Sequence, residues 1–440
     1  MTIPSNIKDA YDAVDHTVQL KQDDERYVDF QEVRGENDEI RAMLRRIDRT
    51  RSGSHLCQLF TGHRGCGKTT ELFRLKNELE KINFFVVYFD AEETLDVSDL
   101  DYPDVLLAIA EQLEAQLREK AEITLKKELL EKVSEWFANI TNTDVVSQDS
   151  DLGMAGEIGI EVPIFARLLA KVRSEVKNSS QRRTEIRQQL ERRSSELIAL
   201  VNDLIDNAQS RLSSKGQRGL VLLVDGLEKV LYRVLDEKSG LNSHTLLFIY
   251  HGEQLRSLRC HLVYTYPINL MIDQNIGQIF TQTTILPMVR IYEPTGQPNE
   301  KGFELLRKAL ANRLDIDAIF TDPALVNKLI EASGGHLRDF LRLVRYAFDI
   351  TDDVVGPSQV ERAINKLTVE YDYLLQADDL ERLHRVHASK EIPSDARHAL
   401  LLYNLLVLEY LNGARWADVH PMVRRLPKFQ KSSPEYLARA

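Results

Sequence analysis

Leu56-Cys-Gln-Leu-Phe60-Thr-Gly62-His-Arg-Gly65-Cys-Gly67-Lys68-Thr69-Thr70-Glu-Leu72-Phe-Arg-Leu75-Lys-Asn-Glu-Leu79 changes its apolar period halfway along. Leu56 to Phe60 reads as a short buried strand, whereas Leu72, Leu75 and Leu79 fall at helical spacing. Gly62 to Thr69 therefore joins a strand to a helix, and its spacing is Gly-x4-Gly-Lys-Thr, that of a phosphate-binding loop. Three glycines let the backbone turn N–H groups inward as an anion nest, and the following helix adds the positive end of its dipole. In such a loop Gly62, His63, Arg64, Gly65, Cys66, Gly67, Lys68, Thr69 and Thr70 cradle a nucleoside triphosphate. Lys68 reaches the β- and γ-phosphates and the Thr69 hydroxyl ligates Mg²⁺.

The 440 residues suffice for two or three domains, each with its own core. A net charge of −11 makes the chain as a whole repel nucleic acid and anionic membranes, so any nucleic-acid contact needs a local patch. Cys57, Cys66 and Cys260 are scattered without metal-ligand spacing, which fits a reducing compartment. The first residues lack a signal-peptide pattern, and the apolar stretch Ala399 to Leu411 is broken by Asn404 and Glu409. The expected location is cytoplasmic.

Four further apolar runs follow the first strand. Phe84 to Asp90 is continuous and ends in acid, with Glu92 and Glu93 behind it, and such acids lie at the mouth of a site at strand ends. Gly219-Leu-Val-Leu-Leu-Val-Asp225 is a buried strand ending in a carboxylate, a Walker B pattern in which Asp225 joins Thr69 in the Mg²⁺ shell. Glu228, three residues on, can orient or deprotonate a water. Cys260 to Thr265 closes on a hydroxyl placed to touch the γ-phosphate or that water, and Thr284 to Ile291 is the expected fifth strand. Five strands separated by helical stretches predict an α/β fold with a five-stranded parallel sheet.

The pattern divides the chain into an N-terminal segment 1–50, a core 51–299 with a helical insertion at about 138–215, a helical lid 300–372 and a C-terminal module 373–440. Residues 1–50 read as mostly helical, with Ile40, Met43, Leu44 and Ile47 in one stripe. Tyr27 to Phe30 and Val33 to Gly35 are candidates to cover the adenine. The amphipathic run from Pro163 to Leu212, with Arg182, Arg183, Arg187, Arg192 and Arg193, is expected to project from the core. In the lid, Gly334-Gly335 breaks the chain before a helix whose first turn carries Arg338. Asn412-Gly413 between apolar runs predicts a hairpin, so the C-terminal module reads as winged-helix-like. Its basic tail, Arg424, Arg425, Lys428 and Lys431, is the candidate for nucleic acid. His384 and His387 have no further ligand-type cluster beside them.

With these motifs in this order the chain resembles the AAA+ and STAND classes of P-loop ATPases, especially bacterial relatives of replication-initiator ATPases. The resemblance covers about residues 25 to 370. It implies Thr265 as sensor 1, Arg338 as sensor 2 on the γ-phosphate, and a sheet in which the Thr265 strand lies between the loop strand and the Walker B strand. It also implies a C-terminal winged helix. Two departures stand out. Gly226 occupies the position where the catalytic Glu usually follows the Asp, which leaves Glu228 as the base. No arginine stands clearly in the finger position, and Arg256, Arg259 and Arg290 are the offers. The long insertion is similar to that of bacterial ATPases from conflict and phage-defence systems. The implied activity is Mg²⁺-dependent ATP hydrolysis by a switch that controls an effector, a partner protein or a homo-oligomer. An initiator- or loader-like DNA-binding ATPase is the alternative, and a non-hydrolysing scaffold a third reading.

Overall fold

The computed structural model describes residues 3–21, 23–141, 188–272 and 276–432. Five strands form the central sheet: β1 (Cys57–Thr61), β2 (Phe84–Asp90), β3 (Gly219–Asp225), β4 (His261–Thr265) and β5 (Thr283–Ile285). Their order is β2-β3-β4-β1-β5, and every pairing is parallel. The Thr265 strand thus lies between the loop strand and the Walker B strand. Register then builds the site. Phe60 pairs with Thr265 and Val224 with Tyr264, so Gly62, Asp225 and Thr265 emerge together at the carboxyl edge of three adjacent strands.

Continuous apolar strands follow from burial of both faces. Val221, Leu223, Phe60 and Val86 pack on one side against Ile40, Met43 and Ile47 of α1 (Glu39–Asp48) and Leu72, Leu75 and Leu79 of α2 (Lys68–Lys81). Leu220, Leu222, Val224 and Tyr264 pack on the other side against α3 (Tyr102–Ala121). Helix α4 (Lys127–Thr141) continues from that layer.

Part of the long amphipathic run, residues 163–187, lies outside the described residues. Its described end does not project. Helix α5 (Ser194–Ser214) buries Leu197, Val201, Leu204, Ile205, Ala208 and Leu212 against α3 and β3. The apolar stripe there is as wide as that of a core helix, and the charges lie on its outer side.

The N-terminal fifty residues are less helical than their pattern predicts. Besides α1, only Ile7–Ala10 and Gln31–Arg34 are helical among the described residues there. Between these two the chain runs across the lid, where the Tyr11 hydroxyl donates to Asp349 at 2.9 Å and Arg345 pairs with Asp15 at 3.3 Å. The fifth strand is also shorter than Thr284 to Ile291. After Ile285 the backbone leaves the sheet, and the N–H groups of Met288 and Arg290 bond to Glu409 O and Val33 O at 3.1 and 3.0 Å. Leu286, Met288, Val289 and Ile291 are apolar because neighbouring units cover them.

The lid consists of α6 (Glu300–Ala311), α7 (Ala324–Ser333), α8 (Leu337–Phe348) and α9 (Pro357–Leu374), with one short turn between α6 and α7. Gly334 ends α7 at φ 62°, and Gly335 follows at φ 82°. A Cβ on Gly335 would lie 1.9 Å from Val289 O, so only glycine lets the lid close on the core here. The C-terminal module adds α10 (Leu380–Ser389), α11 (Ala396–Tyr403), β6 (Val407–Asn412) and β7 (Ala414–Val419), then a short helix Pro421–Arg425. Strands β6 and β7 are antiparallel about Gly413, as Asn412-Gly413 predicts.

The basic tail is not a free patch. Arg424 lies 3.8 Å from Asp418, Arg425 pairs with Glu361, and Lys428 pairs with Asp372 at 2.7 Å. His384 stacks on Phe429 and His387 bonds to Asp418, and neither belongs to a cluster of three ligand-type side chains among the described residues. Among the described residues no helix is long and apolar enough to cross a membrane.

Truncation of Leu204 tests the placement of α5. In a core helix, Leu204→Ala costs about 2–5 kcal/mol in chemical denaturation. A cost below about 0.5 kcal/mol, the surface range, would put α5 outside the core.

Candidate nucleotide-binding site

The loop between β1 and α2 has Gly62, Gly65 and Gly67 at φ 157°, 83° and 102°. A Cβ on Gly65 would sit 2.5 Å from Arg338 Cβ, and one on Gly62 2.7 Å from Leu286 O. Each carbonyl of the turn has a donor. Lys68 Nζ donates to Gly62 O at 3.0 Å and His63 O at 3.1 Å. His336 Nε2 sits 2.6 Å from Arg64 O, the Arg338 N–H donates to Gly65 O at 3.3 Å, and the Arg34 guanidinium donates to Cys66 O. A trans peptide puts C=O and the next N–H on opposite sides. Holding Arg64 O and Cys66 O outward therefore turns the N–H groups of Gly65 and Gly67 the other way, as an anion nest needs.

Lys68, buried at the start of α2, also pairs with Glu228 Oε1 at 3.1 Å. Thr69, one residue on, donates its hydroxyl to Asp225 Oδ2 at 2.6 Å, and the Tyr88 hydroxyl donates to the same oxygen at 3.0 Å. The Gly226 N–H bonds to Asp225 Oδ1 at 2.8 Å. Thr265 Oγ1 accepts the Leu227 N–H at 3.1 Å, which fixes the turn that presents Glu228. Thr265 is fully buried, so here its hydroxyl acts on that turn.

The two carboxylates differ in how readily they ionise. Burial, and then the charge of Glu228, push Asp225 up to about 6, against the pull of the Thr69 hydroxyl and the Gly226 amide. Burial would raise Glu228 as well, but the Lys68 ammonium and the Thr265 hydroxyl outweigh it and hold Glu228 below the usual range. Glu228 is thus the more readily ionised member, and its buried Oε2 makes no hydrogen bond within the protein. Asp225 with Thr69 is a hard-oxygen pair beside an anion nest, and Mg²⁺ takes few protein ligands when phosphates supply the rest. These residues fit a Mg²⁺ carried in on a nucleotide.

A cleft of about 580 Å³ opens over the loop. Lys68, Thr69, Thr70 and Glu228 line it from the core, Arg313, Leu337 and Arg338 from the lid, and Val18, Leu20, Tyr27, Val28 and Phe30 from the N-terminal segment. Both expected adenine-covering stretches reach the cleft region, Tyr27 to Phe30 directly and Val33 to Gly35 through Arg34. Seven basic side chains line the cleft (Arg26, Arg34, Arg64, Lys68, Lys229, Arg313, Arg338) against three carboxylates, the reverse of the chain's overall balance. Asp90 and Glu92 at the end of β2 are paired with Lys229 at 3.0 and 2.6 Å, and Asp90 accepts from Gln19 at 3.4 Å.

The finger candidates are elsewhere. Arg256 pairs with Glu253 and Arg259 with Asp206, before the amino end of β4 and away from the cleft, while Arg290 is bound to Glu293 and Leu411 O. Sequence reasoning missed Arg34, Tyr88, His336 and the strap around Val18. Their contacts are made across the fold, and only Arg34 had a local signal, its place within the Val33 to Gly35 stretch.

The sheet order, the loop and the Asp-ended β3 are those of the α/β P-loop NTPase fold. No protein-family model matches this chain, and no curated protein matches it. Solved structures do. The Walker-type ATPase of Pyrococcus abyssi is similar at 12% identity over 93% of this chain and 98% of that one, with a TM-score of 0.46. The ORC2 protein of Aeropyrum pernix, solved as ADPNP–ADP complexes, is similar at 13% identity over 89% and 90%, with a TM-score of 0.40. Cdc6p from Pyrobaculum aerophilum is similar at 13% identity over 96% and 97%, with a TM-score of 0.37. Likeness at this level leaves the chemistry to the distances above.

Asp225→Asn separates stability from ligand binding. Because Asp225 is raised in the folded state, its charge costs stability above about pH 6, a cost that vanishes as pH falls to the unfolded value near 4. At pH 8 the nucleotide-free variant should melt a few degrees above wild type, a gain that shrinks toward pH 5, while stabilisation by MgATP is lost. A lower midpoint at pH 8, or unchanged stabilisation by MgATP, would contradict this assignment.

Proposed function

We propose that the chain is an ATP-binding and ATP-hydrolysing molecular switch that controls a partner protein or assembly. One observation carries this reading: Lys68, Thr69, Asp225, Glu228 and Arg338 meet around one cation-rich cleft between core and lid. The Lys68–Glu228 pair is the resting arrangement. A triphosphate in the nest competes for the Lys68 ammonium, which leaves Glu228 ionised and free to take a proton from water. Mg²⁺, held by Thr69 and Asp225, would neutralise phosphate charge when bound. Arg338 reaches the same phosphates from the lid, so loss of the γ-phosphate loosens the lid and, with it, the C-terminal module. In a bacterial antiviral setting the controlled partner would be an effector.

The second reading is an initiator-like DNA-binding ATPase, supported by the helices and hairpin of the C-terminal module. Carboxylates beside Arg424, Arg425 and Lys428 weigh against a strong phosphate-binding face. DNA affinity that falls steeply with salt and is lost on truncation after Asp372 would favour that reading. No binding at low salt would remove it.

For the main reading, Mg²⁺-dependent ATP hydrolysis is measured on wild type, Lys68→Ala and Glu228→Gln, with sizing in ATP and in ADP. Lys68→Ala should lose nucleotide binding. Glu228→Gln should keep ATP and lose about 10²–10⁴-fold in turnover. Wild-type turnover by Glu228→Gln would sink the base assignment, and binding without turnover in wild type would leave a nucleotide-bound scaffold.

A further inference from the structure

Four buried side chains outside the proposed chemistry meet beneath the loop. His336 caps α8, Asp339 lies within its first turn, Tyr371 comes from α9, and His420 opens the last helix pair of the C-terminal module. His336, Asp339 and His420 are each 1% exposed or less. His336 Nε2 is 2.6 Å from Arg64 O, and its Nδ1 is 3.1 Å from Asp339 Oδ2. His420 Nε2 faces the same oxygen at 3.4 Å, the Tyr371 hydroxyl donates to it at 2.5 Å, and Arg342 donates to Asp339 Oδ1 at 3.0 Å.

Donors and acceptors settle the protons. A carbonyl only accepts, so His336 Nε2 carries hydrogen. Its Nδ1 lies 3.1 Å from Asp339 Oδ2 without making a hydrogen bond. His420 is fixed from its other side: Nδ1 accepts the Met422 N–H at 3.2 Å, which puts its hydrogen on Nε2, toward Asp339. Burial would raise Asp339, but His336 and His420 hold it well below the carboxylate range, so it stays ionised. The three ligand-type atoms lie within 4.8 Å of one another, as a metal site would require. His420 Nε2 has no lone pair to give, however, and two remaining ligands are too few for zinc.

The same loop is touched by the C-terminal module at two more points. The Glu409 N–H donates to His63 Nε2 at 2.9 Å, and Arg64 donates to the Tyr403 hydroxyl at 2.5 Å and lies over its ring. We propose that His336 is a positioning residue: buried between Asp339 and the Arg64 carbonyl, it fastens the nucleotide loop to the C-terminal module. The loop then keeps its anion-binding shape only while that module is docked. This rests on the nucleotide reading above and names how that site is regulated. The charged and titratable groups around His336 are His63 and Lys68 from the loop side, Asp339 and Arg342 from α8, Tyr371 from α9, and His420 with Arg424 from the module.

The test is amide hydrogen exchange on the full chain without nucleotide, together with MgATP affinity. In His336→Gln, exchange at residues 63–67 and across β6 and β7 should rise together, about tenfold or more. MgATP affinity should fall about tenfold. Tyr371→Phe, which removes one hydroxyl from Asp339, should shift both readouts the same way by less, and it keeps the test if His336→Gln does not fold. Unchanged exchange in both variants, or one chelatable zinc per chain, would overturn the proposal. If wild type binds no MgATP but the coupled exchange persists, the nucleotide reading falls while the tie between loop and module stands.

Discussion

A loop that holds an anion with its N–H groups must dispose of its carbonyls, and in this chain the carbonyls recruit the rest of the molecule. Gly62 O and His63 O are taken by Lys68, Arg64 O by His336, Gly65 O by the Arg338 amide and Cys66 O by Arg34. Those donors come from α2, the lid and the N-terminal segment. The C-terminal hairpin adds its bond to the His63 ring. One short loop is thus the junction of four units, and a change in its shape reaches all of them.

Electrostatics points the same way. The chain is acidic overall, yet the cleft gathers guanidinium and ammonium groups whose buried counter-charges are few. Lys68 is held by Glu228 and by two carbonyls, a set of weak partners that a polyphosphate can replace. Asp225 is poised differently: its burial beside Glu228 disfavours its charge, so a cation bound there relieves a strain already present. Under the proposed function, stability is given up at Asp225 for binding, a familiar trade in functional sites.

What could be read from the sequence was whatever local chemistry decides. Glycine spacing, a lysine and a threonine at a helix start, continuous apolar strands and an Asn-Gly turn each have a short-range physical cause. These gave the sheet, the loop, Asp225 and the hairpin. Contacts between distant segments were illegible. Leu286 to Ile291 looks like strand because it is apolar, but the hairpin and lid bury it. The tail looks basic because Glu361 and Asp372, which pair with Arg425 and Lys428, are remote in sequence. His336 and His420 carry no local signal, since only the fold brings them to one carboxylate.

The central claim, that the loop binds a phosphate chain through its inward N–H groups, is tested most directly by calorimetric titration of wild type with MgATP, repeated in the presence of inorganic tripolyphosphate and of adenosine. The account predicts one MgATP per chain, displaced by tripolyphosphate and scarcely affected by adenosine. No binding, or binding that adenosine displaces and tripolyphosphate does not, would contradict it.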